Sequence, residues 1–528
     1  MVLLAAGLSV QGLASEPVDD GSPPKNLTAA NTTLAEVLRG YHHALGHATG
    51  NTLHSSVTDY TATFAGLSGT IHEVTRSQES RTDAMLSGMH TAYGTFAGKK
   101  WSMNENGQVT LESGLHQRDD VDAAALRSAP LRSSGVKLIG ESATPAAYVV
   151  EVNPPGGRIE YIFFDKRTLL VDRIERMREG RRVVFTFDDY RNTQGLTEPW
   201  HIHVDDGRPN NVREQRVTAL RYGAALSDAD LALPPSPKPI AGATTFPASV
   251  DGTIVDDRII ITAGLSGHKV NFLVDSGASG IVIDRDIADA LKFEQHGRIT
   301  GATAGTYVES DVVIPKMQVG DVVVEGAHAR SLPFTMWTDN GKPIGGLLGF
   351  DFIHDVVLHI DYLHGTVEAL SPLTFTPPAN ARALPIALDD QVPLISVAIG
   401  NARNLHFLLD TGADRSLLFT QFVSAHPSDA ADQGLGTAMQ ASSPFVNDFL
   451  GVGGMVDYRP MQTGPFDLAG WSFPRWLFYV TQNAPSFEFE DYDGLVGQDV
   501  LRNYDVWLDY PHLRVYLRPN DRFRQRWG

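Results

Sequence analysis

Phe272-Leu-Val-Asp275-Ser-Gly-Ala-Ser279 and Phe407-Leu-Leu-Asp410-Thr-Gly-Ala-Asp414 state one pattern twice in a chain of 528 residues. In each, three apolar residues lead into an aspartate, a hydroxyl residue and a glycine. The apolar run reads as a short strand buried on both faces, so the carboxylate arrives at the end of a strand that the core holds. One such triplet means little. Asp and Gly are ordinary turn residues, and a chain this long holds about 0.3 Asp-(Ser/Thr)-Gly triplets by chance.

Each triplet is followed by the same second block. After Asp275 come Ile344-Gly-Gly-Leu-Leu-Gly349-Phe-Asp351-Phe-Ile-His354 and Val356-Val-Leu-His-Ile-Asp361-Tyr362. After Asp410 come Asp493-Gly-Leu-Val-Gly497-Gln-Asp499-Val-Leu-Arg502 and Asp505-Val-Trp-Leu-Asp509-Tyr510. The late glycine precedes the last aspartate by the same distance in both (361 − 349 = 12 and 509 − 497 = 12). The stretch between triplet and late glycine differs (349 − 275 = 74 against 497 − 410 = 87), as loops do between copies of one fold. The pattern is that of an internal duplication of about 130 residues, longer than a solenoid repeat.

On these residues, the chain from 251 to 528 resembles the retropepsin-like aspartic proteases, in particular bacterial members that carry both lobes in one polypeptide. The resemblance implies a mainly β fold: two retropepsin-like acid-protease β-barrel lobes, 251–375 and 376–528, forming a bilobal, pepsin-like unit. It implies catalytic roles for Asp275 and Asp410, and it aligns the family's later glycine motif with Leu347-Leu348-Gly349 and Leu495-Val496-Gly497. Ser276 stands where Thr is commoner. The arginine that braces the dimer of the viral members is replaced by Phe350 and Gln498, so the bracing here must differ. With both aspartates in one chain, a monomer suffices.

The residue types suit the chemistry. Ser276 and Thr411 offer short hydroxyls able to donate to backbone acceptors across the two lobes. Gly277 and Gly412 allow close approach of the backbone and leave room for each carboxylate to accept an N–H. Two convergent carboxylates cannot both ionise easily, so one apparent pKa rises and the other falls, which is the behaviour tabulated for aspartic proteases as a class. The pair titrates as a unit, and sequence does not say which member holds the proton. The expected activity is endopeptidase hydrolysis of a peptide or protein by general acid–base activation of water, with no cofactor and no metal. The competing reading is a non-catalytic envelope protein that binds peptide or lipid on a retained protease scaffold.

Glycine-rich stretches mark candidate flaps, Thr300 to Ser310 with Gly305 and Tyr307, and Phe449 to Asp457 with Gly453 and Gly454. Such glycines suit a hinge that admits substrate, and ordinary hairpin turns are the alternative. An extended peptide would pair with flap backbone by strand addition. Phe334, Trp337 and Phe487 are candidate groove liners, with core burial as the competing reading.

The rest of the chain narrows the field. Net charge is −19, which argues against nucleic acid and anionic membrane as partners. There is no cysteine, so disulfides, thiol catalysis and thiolate metal sites are out. His201-Ile-His203 has strand alternation rather than the helical spacing of zinc proteases. Gly94-Thr-Phe-Ala-Gly98-Lys99 is one residue short of a P-loop and lacks its Ser/Thr.

Residues 1–31 read as a signal peptide and linker. Val2 to Ala14 has the apolar core and small-residue end of a secretory signal, though no basic flank, and it is too short to span a bilayer. A periplasmic or secreted protein without a stable membrane anchor is therefore expected. Residues 32–230 read as an α+β domain. Thr33-x-x-Glu36 is a capping box ahead of an amphipathic helix. Hairpins follow at 148–164 and 169–187. This run of strands and turns resembles the antiparallel half-barrel of lipoprotein-carrier (LolA-like) proteins, which implies a concave apolar face and a lipid or lipoprotein as candidate partner. An inhibitory pro-segment is a further possibility for this domain. A Pro-rich linker is expected at 231–250.

Overall fold

The computed structural model describes residues 22–46, 54–111, 135–155, 157–178, 181–235, 239–302, 306–334, 338–339, 342–430, 449–451, 454–456, 458–481 and 492–527. The chain is mainly β and falls into two compact units, the first holding the described residues up to 235 together with 297–300, the second the remaining described residues from 239 onward. Among the described residues, no helix is long and apolar enough to cross a membrane.

In the first unit the helix Leu34–Leu45 begins as the sequence predicts. The Thr33 hydroxyl accepts the Glu36 N–H, and the Glu36 carboxylate accepts the Thr33 N–H at 2.8 Å. That satisfies donors left open at a helix start. The helix buries Val37 and Tyr41 against Val150, Ile162, Phe164, Ile174 and Phe187. These belong to one antiparallel sheet of 13 strands. Its edges are Val109–Leu111 and Val136–Ala143, and Ser55–Phe64 pairs with Arg213–Tyr222 near the middle. The expected hairpins appear as Ala146–Val152 with Glu160–Asp165 and Val171–Arg178 with Arg181–Thr193. His201 and His203 both face Glu214 on the neighbouring strand, at 2.5 and 2.7 Å. The signal-like stretch 2–14 lies outside the described residues.

The second unit holds three larger sheets. One of nine strands spans Ala241 to Leu348, another of nine spans Ala387 to Val496, and a sheet of six draws strands from both parts of the sequence. The two nine-stranded sheets repeat one arrangement around the triplets. His268–Val274, which leads into Asp275, pairs in parallel with Gly346–Leu348, and that strand pairs antiparallel with Ile281–Asp284. Ala402–Leu409, which leads into Asp410, pairs in parallel with Gly494–Val496, itself antiparallel to Leu417–Leu418. The second block of each motif is thus the strand beside the first, which explains why the two blocks occur together.

The six-stranded sheet sets Val357–Asp361 against Tyr504–Asp509, antiparallel, with Thr366–Leu370 and Arg514–Pro519 outside them. Ala248–Ser249 and Arg382–Pro385 form its edges. Ala241–Gly242 pairs with Val322–Leu332. Part of the stretch expected as linker, 231–250, is therefore structured, because two-residue strands carry no periodicity that a sequence reading can detect. A continuous core of buried side chains runs through this unit, from Val250 and Phe272 to Phe407, Val506 and Leu517.

Candidate active site

Phe272 and Val274 point into the core, and Leu273 points to the opposite face. Alternation then puts Asp275 on the Leu273 face. Phe407, Leu409 and Asp410 repeat this. The backbone of each aspartate extends the parallel pairing, with Asp275 N–H donating to Leu348 O at 3.0 Å and Asp410 N–H to Val496 O at 2.9 Å. The acid is fixed by ladder bonds before its side chain does anything.

Four hydrogen bonds then lock the two turns together. Ser276 Oγ donates to Leu409 O at 2.6 Å, and Thr411 Oγ1 donates to Val274 O at 2.9 Å. In return Ser276 N–H donates to Thr411 Oγ1 and Thr411 N–H to Ser276 Oγ, both at 2.9 Å. Both side chains are fully buried. Each hydroxyl thereby acts as donor and acceptor at once, a complete use of a group that would be costly to bury unpaired.

This lock brings the carboxylates together. Asp275 Oδ1 accepts the Gly277 N–H at 2.9 Å. Asp410 Oδ1 accepts the N–H groups of Gly412 and Ala413 at 2.7 and 3.1 Å. A methyl group on Gly412 would lie 2.5 Å from Asp275 Cγ, and one on Gly277 would lie 2.9 Å from Asp410 Cγ. Only glycine leaves each turn room for the opposite acid.

The Asp275 and Asp410 carboxyls interact directly, each altering how the other titrates. Burial, then the Asp410 charge, holds the Asp275 carboxyl well above the ordinary carboxylate range. Burial raises Asp410 too, but the Gly412 N–H, the bond from Asp275 and the Ala413 N–H pull the other way. The pair therefore retains a proton where isolated aspartates have lost theirs, with Asp275 favoured as its holder.

Supporting residues appear that the sequence reading had not assigned. Gly349 and Gly497 pack beneath the turns, where a Cβ would meet Ala278 O at 2.4 Å and Arg415 O at 2.6 Å. Asp351, two residues on, accepts the Ile281 N–H at 2.9 Å, and Asp499 accepts the Ser416 hydroxyl at 2.6 Å. Burial pushes the Asp499 carboxyl up to about 6. The signal for both was their equal spacing after the glycine.

On the Leu273 face three apolar side chains stand in register across three strands, Leu273 beside Leu347 beside Val282. They belong to a buried cluster with Ala278, Phe334 and Ile344, against which Tyr307 packs. Leu408, Leu495 and Leu417 form the matching row beyond Asp410. Each carboxylate thus has an apolar wall next to it.

Residues 261–352 match the family model described as aspartyl protease. Over that stretch the chain is similar to aspartyl proteases. The match includes Asp275, Gly349 and Asp351 and ends before Asp410. No curated protein matches the sequence. Three solved structures are similar over part of it. A domain from Vibrio parahaemolyticus named for outer membrane lipoprotein sorting is 13% identical, with 37% of this chain and 94% of that chain covered and a TM-score of 0.26. A DUF1329 family protein from Desulfovibrio piger is 16% identical, with 41% and 98% covered and a TM-score of 0.27. A LolA superfamily protein from Nitrosomonas europaea is 14% identical, with 38% and 98% covered and a TM-score of 0.28.

Of the flap residues expected for the aspartyl protease domain, Tyr307 lies on the strand Thr306–Val319, its ring against Gly301. Gly454 begins a short strand paired with Phe449–Gly451. Gly305, Gly453, Trp337 and Phe487 lie outside the described residues. Phe334 is buried, its N–H bonded to Asp284 Oδ2 at 2.7 Å.

Proposed function

We propose that the chain is an aspartic endopeptidase whose catalytic pair is Asp275 and Asp410, on two retropepsin-like lobes that arose by duplication. One observation carries this reading: two half-buried carboxylates that converge across Gly277 and Gly412, each steadied by a glycine N–H of its own turn.

The division of labour follows from the environment of each acid. Asp410, with two backbone N–H groups on one oxygen, is the better anion and acts as general base toward water. Asp275 holds the proton and donates it to the carbonyl oxygen of the scissile amide as the hydroxyl attacks. The tetrahedral adduct then collapses. Asp410 passes its newly acquired proton to the departing amine, and Asp275 regains one from the adduct. No covalent intermediate forms, and the pair ends as it began. The apolar rows beside the carboxylates favour apolar side chains flanking the scissile bond. Tyr307, Gly305, Gly453 and Gly454 are assigned to substrate coverage. The signal-like N-terminal stretch supports a periplasmic or secreted protein, the presence of both aspartates in one chain supports a monomer, and the first unit is assigned to peptide or lipid binding.

The test is cleavage of a diverse peptide library across pH by wild type, Asp275→Asn and Asp410→Asn. Each variant should lose at least about a thousandfold in kcat/KM. Residual wild-type-like cleavage by either variant sinks the reading, and a wild type that cleaves nothing favours a non-catalytic binding protein on the same fold.

A further inference from the structure

The residue after each late glycine stands where viral relatives keep a bracing arginine, and the two sides differ. Gln498 is almost fully buried. Its Nε2 donates to Thr411 O at 2.6 Å. Its Oε1 accepts the hydroxyl of Tyr362, itself buried, from the end of the strand Val357–Asp361. The amide can be oriented only this way, since a carbonyl needs a donor.

Thr411 O belongs to the peptide plane whose other end is the Gly412 N–H, and that N–H donates to Asp410 Oδ1 at 2.7 Å. The contacts therefore form one chain: Tyr362 hydroxyl to Gln498 carbonyl, Gln498 amide to Thr411 carbonyl, Gly412 N–H to the Asp410 carboxylate. Each bond polarises the next, which strengthens the last donor. The Gln498 N–H also holds Ala413 O, at 2.8 Å, so one residue grips the turn on both sides of Gly412.

Among the described residues, no side-chain relay of this kind reaches the turn of Asp275. Phe350 holds Ala278 O through its N–H at 3.0 Å but offers no polar side chain. Tyr510, the counterpart of Tyr362, packs its ring against Phe350 with centroids 6.2 Å apart. Its hydroxyl is buried without a hydrogen-bond partner among the described residues.

We propose that Gln498, keyed by Tyr362, is a positioning residue that makes Asp410 the anionic member of the pair. The inference rests on the protease reading, and its test has a readout that needs no cleavage. Gln498→Met keeps the shape and deletes both bonds. Tyr362→Phe deletes the first link alone and covers the case in which Gln498→Met does not fold. Both should move the acid limb of the kcat/KM–pH profile upward, by about half a pH unit for Gln498→Met, and lower kcat roughly fivefold with KM little changed. In carboxyl-carbon NMR of the full chain, the lower apparent pKa of the pair should rise in step. Folded variants with the wild-type titration and pH profile overturn the proposal, even if they melt earlier. A shifted titration in a chain that cleaves nothing would keep the relay and remove the protease reading.

Discussion

His359 and Trp507 stack face to face across the two central strands of the six-stranded sheet, ring centroids 4.4 Å apart and planes 1° from parallel. They are register partners, flanked by Leu358 opposite Leu508 and Ile360 opposite Val506. The same number of residues separates His359 from Trp507 as Gly349 from Gly497. The strand pair is thus centred on a residue and its counterpart, as two copies of one strand are when related by a twofold axis. The proposed duplication accounts for that register.

Trp507→Ala should cost about 3–5 kcal/mol in chemical denaturation, since the ring is buried. Combined with His359→Ala, a double-mutant cycle should return a coupling of about 0.5–1.5 kcal/mol. Strict additivity would show that the stack is geometry without energy.

Gly412→Ala should remove activity by more than about a hundredfold in kcat/KM, because the new methyl group would press on the Asp275 carboxylate at 2.5–2.8 Å. Gly277→Ala, with 2.9–3.1 Å to Asp410, should be the milder of the two. Steady-state kinetics on both, with melting temperatures to verify folding, will rank them. The reverse order contradicts the packing described.

Both members of the pair have folded-state pKa values raised above the ordinary 3.8. The folded protein therefore binds a proton that the unfolded chain releases. The stability linked to that proton is fully present below 3.8 and is lost as pH rises through the raised value. Asp275→Asn removes the titrating group, so its melting temperature should exceed that of wild type increasingly as pH rises from 4 to 8. A constant difference across that range would contradict the coupling.

Asp499 gives a separate pH signature. Its carboxyl is raised to about 6 by burial, so wild-type stability should decline between pH 4 and 6 and level above. The shift is roughly two pK units, about 3 kcal/mol at most. Asp499→Asn keeps an acceptor for the Ser416 hydroxyl and should be the more stable protein at pH 8 but not at pH 4, measured by urea unfolding.

The place of each aspartate at its strand end was legible in the sequence because the residues that set its own turn are adjacent. An apolar run ends in an acid, a hydroxyl and a glycine, and the late glycine directly follows the strand next door. The helix at Leu34–Leu45 was legible for the same reason, its cap written within four residues. Other parts depended on distant contacts. Tyr362 meets Gln498 across 136 positions, and no periodicity announces a hydrogen bond between two polar side chains so far apart. The rows Leu273, Leu347, Val282 and Leu408, Leu495, Leu417 lay half in view. Reading their strands as buried on both faces was sound, but sequence did not distinguish the face that meets the core from the face that carries the acid. The short strands at 241–242 and 248–249 are recognisable only through their partners.

The crossed hydroxyl bonds also set a timetable. Ser276 completes its bonding on Leu409 and Thr411, and Gln498 and Tyr504–Asp509 come later still in the chain. A nascent polypeptide emerging from the ribosome carries Asp275 long before any of these partners exists. Its first carboxylate stays an isolated acid until Leu409, Thr411 and Gln498 have been made. The pair is thus assembled only once both copies of the motif exist.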